Sequence, residues 1–122
     1  RRSSAASDVY KRQTLAIAYA TGARYLLLDE PMNALDPSRV DLHSEILRKL
    51  ADSGTCIIMS SHILDSVDRL CDEILFLKDG RLIRSIPQDD AAPKSPGSHF
   101  AKPAGRAEGA LSTYRRLYEK GG

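Results

Sequence analysis

Apolar and polar residues along the chain form two kinds of pattern. Residues 25–29 and 55–60 are continuous apolar runs of strand length, which predict strands covered on both faces in a parallel sheet. Helical spacing predicts helices at about 12–21, 37–52 and 63–71. Strands that alternate with helices in this way predict an α/β fold with a mainly parallel sheet and flanking helices.

Turn and cap residues locate the start of one helix and predict a further element. Asp36 followed by Pro37 is typical of an N-cap and the first position of a helix. Asp79-Gly80, placed between apolar runs at 73–77 and 81–86, predicts a hairpin at the C-terminal side of the fold.

The two ends of the chain differ from its middle. Residues 1–13 are small, polar and basic, and we expect a non-native or disordered leader there, followed by a folded part over 14–86. Residues 87–107 hold four of the six prolines and predict a flexible linker. Residues 108–122 regain helical spacing and predict a short C-terminal helix, whose inner side would carry Leu111, Tyr114, Leu117 and Tyr118.

Composition and charge exclude several classes of protein. A chain of 122 residues with 42% apolar and 28% charged residues is neither collagen-like nor fully disordered. Residues 14–86 carry eight basic and eleven acidic side chains, so this part offers no basic stripe for nucleic acid. Cys56 and Cys71 lack metal-ligand spacing, and we expect both to be reduced, buried thiols. No apolar run is long enough to span a membrane.

Acidic residues follow the first apolar run directly, since Asp29 and Glu30 end it and Asp36 lies six positions further on. Two adjacent buried carboxylates are costly unless a cation lies opposite them. In open α/β sheets ligands bind at the carboxyl ends of strands, and His62 follows the second strand. The pattern therefore indicates a site for Mg²⁺ and a phosphate. Strand termination, helix capping and a surface histidine are the purely structural alternatives.

Three short segments in this region resemble the ATP-binding cassette (ABC) ATPases. LLLDEP resembles their Walker B segment, NALD their D-loop and SSH the segment with their switch histidine, and KDGRLI resembles the hairpin that follows. The resemblance covers residues 11–86 and implies part of a P-loop NTPase fold. DEPMNALD is similar to cassettes of bacterial exporters.

The resemblance implies a role for each acidic residue and for the histidine. Asp29 would hold Mg²⁺, Glu30 would polarise the attacking water, and His62 would bind the γ-phosphate of ATP. Asp36 would face a second ABC ATPase subunit across bound nucleotide. The family further implies a transmembrane permease partner and a cytoplasmic location on the inner face of the cell membrane. Nucleic acid is not expected as a partner.

Two segments that the family needs are missing from this sequence. No glycine is followed by lysine, so the phosphate-binding loop GxxxxGK[ST] is absent, and no LSGGQ-like signature precedes Thr14. We therefore expect that the chain is a fragment of a parent that hydrolyses ATP, and that the fragment alone is inactive. The alternatives are an ABC-type or helicase-like ATPase acting on nucleic acid, and a catalytically inactive regulatory fragment.

Overall fold

The computed structural model describes residues 2–87 and 109–119, with side chains for all of these except residues 2–8 and 11. The chain divides into two compact units, Arg1–His62 and Ile63–Gly122. The first unit contains α1 (Arg2–Ala20), β1 (Tyr25–Asp29), α2 (Pro37–Asp52) and β2 (Cys56–Ser60). The second contains α3 (Leu64–Leu70), β3 (Glu73–Lys78), β4 (Arg81–Pro87), α4 (Ala110–Tyr114) and a π-helical turn (Arg115–Glu119).

The first unit is built on a parallel pair of strands. β1 pairs with β2 in a register that sets Tyr25 beside Cys56 and Asp29 beside Ser60. α2 packs against β2, as expected for a helix that connects two parallel strands. The parallel pair and its flanking helices confirm the predicted α/β fold class.

Helix α2 begins where the Asp-Pro signal predicted. The N-cap residue Asp36 has an extended backbone, and its carboxylate accepts hydrogen bonds from the Arg39 N–H at 3.2 Å and the Ser38 hydroxyl at 2.6 Å. Pro37 needs no hydrogen-bond partner for its nitrogen at the first helical position. Leu47 is buried on the inner face of this helix together with His43.

A polar pair joins α2 to α1 in the first unit. The Tyr19 hydroxyl lies 3.0 Å from Nδ1 of His43, and the two rings are tilted at 49° with centroids 5.7 Å apart. Burial lowers the pKa of His43 and raises the pKa of Tyr19 to about 12. Both side chains are therefore neutral near pH 7, and the tyrosine donates to the imidazole.

The parallel strands are buried on one face only, which corrects the prediction of cover on both faces. Leu26 is buried, whereas Tyr25 is 74% exposed and Leu27 is 78% exposed. Ile58 and Cys56 of β2 share that open face. Among the described residues nothing packs against this face, and Cys56 is therefore exposed. Cys71, the residue that follows α3, is half-buried, so the prediction that both cysteines are buried was wrong.

Helix α1 is longer than the sequence pattern predicted. It begins at Arg2 rather than near residue 12, although it ends at Ala20, just before Gly22, as expected. The first turns lack apolar periodicity, so a search for periodicity missed them. The assignment of residues 1–13 as a leader concerns their origin and stays a prediction.

The second unit contains the predicted hairpin. β3 and β4 are antiparallel, and Asp79 and Gly80 form the two-residue turn with φ of 50° and 72°. Positive φ at both central residues is what this type of tight hairpin turn requires. Ile74, Phe76 and Ile86 form the buried face of the hairpin.

A C-terminal helix packs against the rest of the second unit. Both carboxylate oxygens of Asp68 in α3 accept the Ala110 N–H at 3.0 Å, and the Tyr118 hydroxyl donates to the Leu77 carbonyl of β3. The predicted helix is present, but Ala110 and Thr113 are its buried residues. Leu111 and Tyr114, expected on the inner side, are exposed, whereas Leu117 and Tyr118 are half-buried.

Part of the predicted linker lies outside the described residues. Pro87 ends β4, and residues 88–107 are not among those described. None of the helices in the described ranges combines the length and the apolar character needed to cross a bilayer.

Candidate functional site at the carboxyl ends of the parallel strands

The predicted site residues gather where the two parallel strands end. Asp29 is the last residue of β1, and its register partner Ser60 is the last residue of β2. Glu30 follows Asp29 directly, and His62 follows Ser60 by two positions. Parallel pairing therefore brings the acidic pair and the histidine to one edge of the sheet.

Ser60 connects the two chain segments through its hydroxyl group. Its Oγ donates to Oδ1 of Asp29 at 2.5 Å and accepts the backbone N–H of Glu30 at 2.9 Å. The sequence analysis did not single out Ser60. The signal for it was the register itself, because a serine at the end of the second strand falls opposite the acid that ends the first.

Glu30 and His62 form a direct side-chain contact across the strand ends. Nδ1 of His62 lies 3.0 Å from Oε2 of Glu30. An ionised carboxylate only accepts hydrogen bonds, so the proton of this contact belongs to the imidazole. In that arrangement Nε2 can donate a further hydrogen bond only when His62 is the imidazolium.

The acidic pair is open to solvent, which corrects the assumption of burial. Asp29 is exposed, and the side chains of Glu30 and His62 are 31% and 67% exposed. The apolar run before these residues placed them at the rim of the sheet rather than inside it. Water and the Ser60 hydroxyl therefore reduce the cost of two adjacent carboxylates in this chain.

The loop from Glu30 to Asp36 has an unusual backbone. Glu30 and Ala34 have left-handed φ angles of 46° and 63°, which non-glycine residues rarely adopt. The Asn33 N–H donates to the Glu30 carbonyl at 3.1 Å and closes a turn. Met32 is only 1% exposed, and this buried side chain anchors the loop.

The contacts of Asp36 are separate from those of the other three predicted site residues. Its carboxylate caps α2 and forms an ion pair with Arg39 at 2.9 Å. Asp29 and Glu30 instead bond to Ser60 and His62. The structure thus unites Asp29, Glu30 and His62 and gives Asp36 the capping role that its sequence context predicted.

The carboxylate of Asp29 could bind a magnesium ion whose other ligands are water and substrate phosphates. Mg²⁺ in nucleotide enzymes is held by one or two carboxylates, with water and substrate phosphates as the other ligands. Over residues 2–87 and 109–119, no group of three or more His, Cys, Asp or Glu side chains could hold a metal ion. The carboxylate of Asp29 therefore fits Mg²⁺ that is bound together with nucleotide. The described residues do not form a site in which protein side chains alone hold the metal.

Curated proteins similar to this chain are ATP-binding proteins of transporters. The galactose/methyl galactoside import ATP-binding protein MglA of Mannheimia succiniciproducens is 36% identical over 73 residues, which are 60% of this chain and 14% of the relative. The Nod factor export ATP-binding protein I of Neorhizobium galegae is 38% identical over 77 residues, or 63% of this chain and 22% of the relative. No protein-family model matches the chain.

A solved structure agrees with the sequence relatives. The ATP-binding subunit of an ABC transporter matches with a TM-score of 0.58 and 29% identity, over 62% of this chain and 32% of that one. The chain thus spans about a third of the solved subunit and a smaller share of the curated relatives above. These matches confirm the resemblance predicted from the motifs, over about 60% of the chain. The matched part of this chain is therefore similar in sequence and in fold to the ATP-binding cassette (ABC) ATPases.

Proposed function

We propose that the parent protein of this chain is the ATP-binding and ATP-hydrolysing subunit of an ABC transporter. The observation that carries the proposal is the meeting of Asp29, Glu30 and His62 at the carboxyl edge of the parallel strands, with Nδ1 of His62 3.0 Å from Oε2 of Glu30. A water molecule beside Glu30 and a phosphate beside His62 would then lie close together. Phosphoryl transfer to water requires this juxtaposition.

Each residue has one role in the proposed reaction. Asp29 would hold Mg²⁺, and the ion would neutralise charge on the ATP phosphates. Glu30 orients the attacking water and accepts its proton. His62 binds the terminal phosphate through Nε2, either as the imidazolium or after release of its contact with Glu30, because Nδ1 holds the proton of that contact.

The partners follow from the same proposal. Asp36, with Ala34 and Leu35, would face a second ABC ATPase subunit, while a transmembrane permease would hold the pair on the cytoplasmic face of the membrane. The finer prediction of an exporter rests on the DEPMNALD segment. Import and export relatives are similarly identical to this chain, at 36% and 38%, so identity does not favour one direction.

The 122-residue chain alone is expected to be inactive. It lacks the glycine-rich loop whose backbone N–H groups and lysine bind the β- and γ-phosphates, and Asp29 alone binds Mg²⁺ weakly. ATP turnover by the purified chain that Glu30→Gln abolishes would contradict this part of the proposal.

The function itself is tested in the parent protein. Glu30→Gln should lower kcat for ATP hydrolysis by about 10²–10⁴-fold, the usual effect of losing a general base, with little change in ATP binding. Glu45→Gln, on helix α2 away from the strand ends, is the matched control and should retain activity. A parent that hydrolyses ATP equally well with Glu30→Gln would refute the role of Glu30.

A further inference from the structure

We propose that Ser60 is a positioning residue that orients both carboxylates at the end of β1. The inference rests on the proposed function, since it concerns how Asp29 and Glu30 are held for their roles. Its basis is that one hydroxyl group bonds to both residues, to the side chain of Asp29 and to the backbone of Glu30.

The direction of each hydrogen bond is determined by chemistry. The Glu30 backbone N–H can only donate, so the Ser60 oxygen accepts it at 2.9 Å. The single hydroxyl proton is then given to Oδ1 of Asp29 at 2.5 Å. Oδ2 takes no part in this hydrogen bond and can bind a cation.

The second hydrogen bond acts on an unusual backbone conformation. Glu30 has a φ of 46°, a left-handed value that a side chain with a Cβ atom adopts at a cost. By holding the N–H of this residue, Ser60 keeps the peptide between Asp29 and Glu30 in the orientation that points the glutamate toward His62, 3.0 Å away.

A purely structural role for Ser60 makes a different prediction. If the hydroxyl only satisfied polar groups at the edge of the sheet, its loss would lower stability and leave the site geometry unchanged. A positioning role requires changes at Asp29 and Glu30 themselves, and a second hydroxyl-bearing side chain should reverse them.

The experiment compares Ser60→Ala and Ser60→Thr in isotopically labelled 122-residue chain. Ser53→Ala is the control, because the Ser53 hydroxyl donates to the Lys49 carbonyl at the end of α2 and takes no part in the contacts of Asp29 or Glu30 described above. We would measure amide hydrogen exchange of Glu30, the carboxyl ¹³C shift of Asp29, and Mn²⁺ binding by water-proton relaxation, with Mn²⁺ ion alone as the probe.

We expect Ser60→Ala to speed exchange of the Glu30 amide by about tenfold or more and to weaken Mn²⁺ binding by about 10–100-fold, the usual effect of losing a group that orients a metal ligand. The Asp29 carboxyl signal should shift as well. Ser60→Thr should restore all three readouts, and Ser53→Ala should change none of them.

Unchanged Glu30 exchange and an unchanged Asp29 signal in folded Ser60→Ala would overturn the proposal. If Ser60→Ala does not fold, Ser60→Cys replaces it under the same criteria, because a thiol is a weak donor. Should the unaltered chain bind too little Mn²⁺ to measure, the Glu30 exchange and the Asp29 signal alone decide the proposal.

Discussion

Replacement of Tyr19 by phenylalanine tests the polar pair between α1 and α2. The change removes the hydroxyl that donates to Nδ1 of His43 at 3.0 Å and leaves the ring in place. A typical hydrogen bond contributes about 0.5–1.5 kcal/mol, and a buried acceptor left without a partner costs about 1–3 kcal/mol. Because His43 is only 9% exposed, we expect a loss of about 1–2 kcal/mol in the free energy of unfolding at pH 8.

The pH dependence of stability separates the hydrogen bond from the burial of His43. Burial lowers the pKa of His43 below its ordinary value of 6.5, so between the lowered pKa and 6.5 the unfolded chain binds more protons than the folded chain. The stabilising contribution is therefore complete above pH 6.5 and is lost as the pH falls. Since burial causes the shift, Tyr19→Phe should keep this acid dependence, whereas His43→Gln should abolish it.

The contribution of the same pair to stability should also depend on pH in the alkaline range. Burial raises the pKa of Tyr19 from 10.0 to about 12, so its contribution to stability is complete below pH 10 and is lost as the pH rises toward 12. Tyr19→Phe should remove this alkaline loss, because phenylalanine does not ionise.

Urea unfolding followed by circular dichroism at several pH values measures these effects, and an NMR titration of the His43 ring gives its pKa directly. Tyr25→Phe is the matched control, because Tyr25 is 74% exposed and its hydroxyl can bond to water. If Tyr19→Phe and Tyr25→Phe are equally stable at pH 8, the hydrogen bond between Tyr19 and His43 makes no net contribution to the free energy of unfolding, and the prediction is wrong.

Substitutions at Asp36 and at Asp68 test two further local contacts. Asp36→Ala should lower stability by about 1 kcal/mol through loss of the N-cap of α2, while Asp36→Asn should retain most of it; equal urea midpoints for the two variants would contradict capping. Asp68→Ala removes the acceptor of the Ala110 N–H and should speed amide exchange across residues 110–119, whereas Asp65→Ala on the same helix should not. Equal exchange in these last two variants would show that the C-terminal helix is held by other contacts.

The strand and cap positions could be predicted because their signals are local. The apolar run before Asp29 predicted both ends of β1. The Asp36-Pro37 pair predicted the start of α2, and Asp79-Gly80 predicted the hairpin turn. Each of these features depends on backbone preferences of a few neighbouring residues. The meeting of Glu30 with His62 followed from them, since parallel strands end at the same edge.

The burial of side chains could not be predicted in the same way, because it depends on which other part of the protein packs against each strand or helix. The pattern of Leu27 and Ile58 is that of a strand covered on both faces, but no described element packs there. Periodicity predicted that Leu111 and Tyr114 lie on the inner side of the C-terminal helix, whereas the smaller Ala110 and Thr113 are the buried residues. Ser60 was missed because its importance lies in a contact thirty residues away in sequence from Glu30.

The backbone at Glu30 has a consequence for selection experiments on this chain. Glycine fits a φ of 46° without steric cost, and asparagine tolerates it better than glutamate does. A library randomised at this position and screened only for folding should therefore favour glycine or asparagine, whereas a screen for turnover in the parent should retain glutamate. The two screens would select different residues at this position, because the proposed reaction requires the carboxylate of Glu30, whereas a positive φ is unfavourable for glutamate.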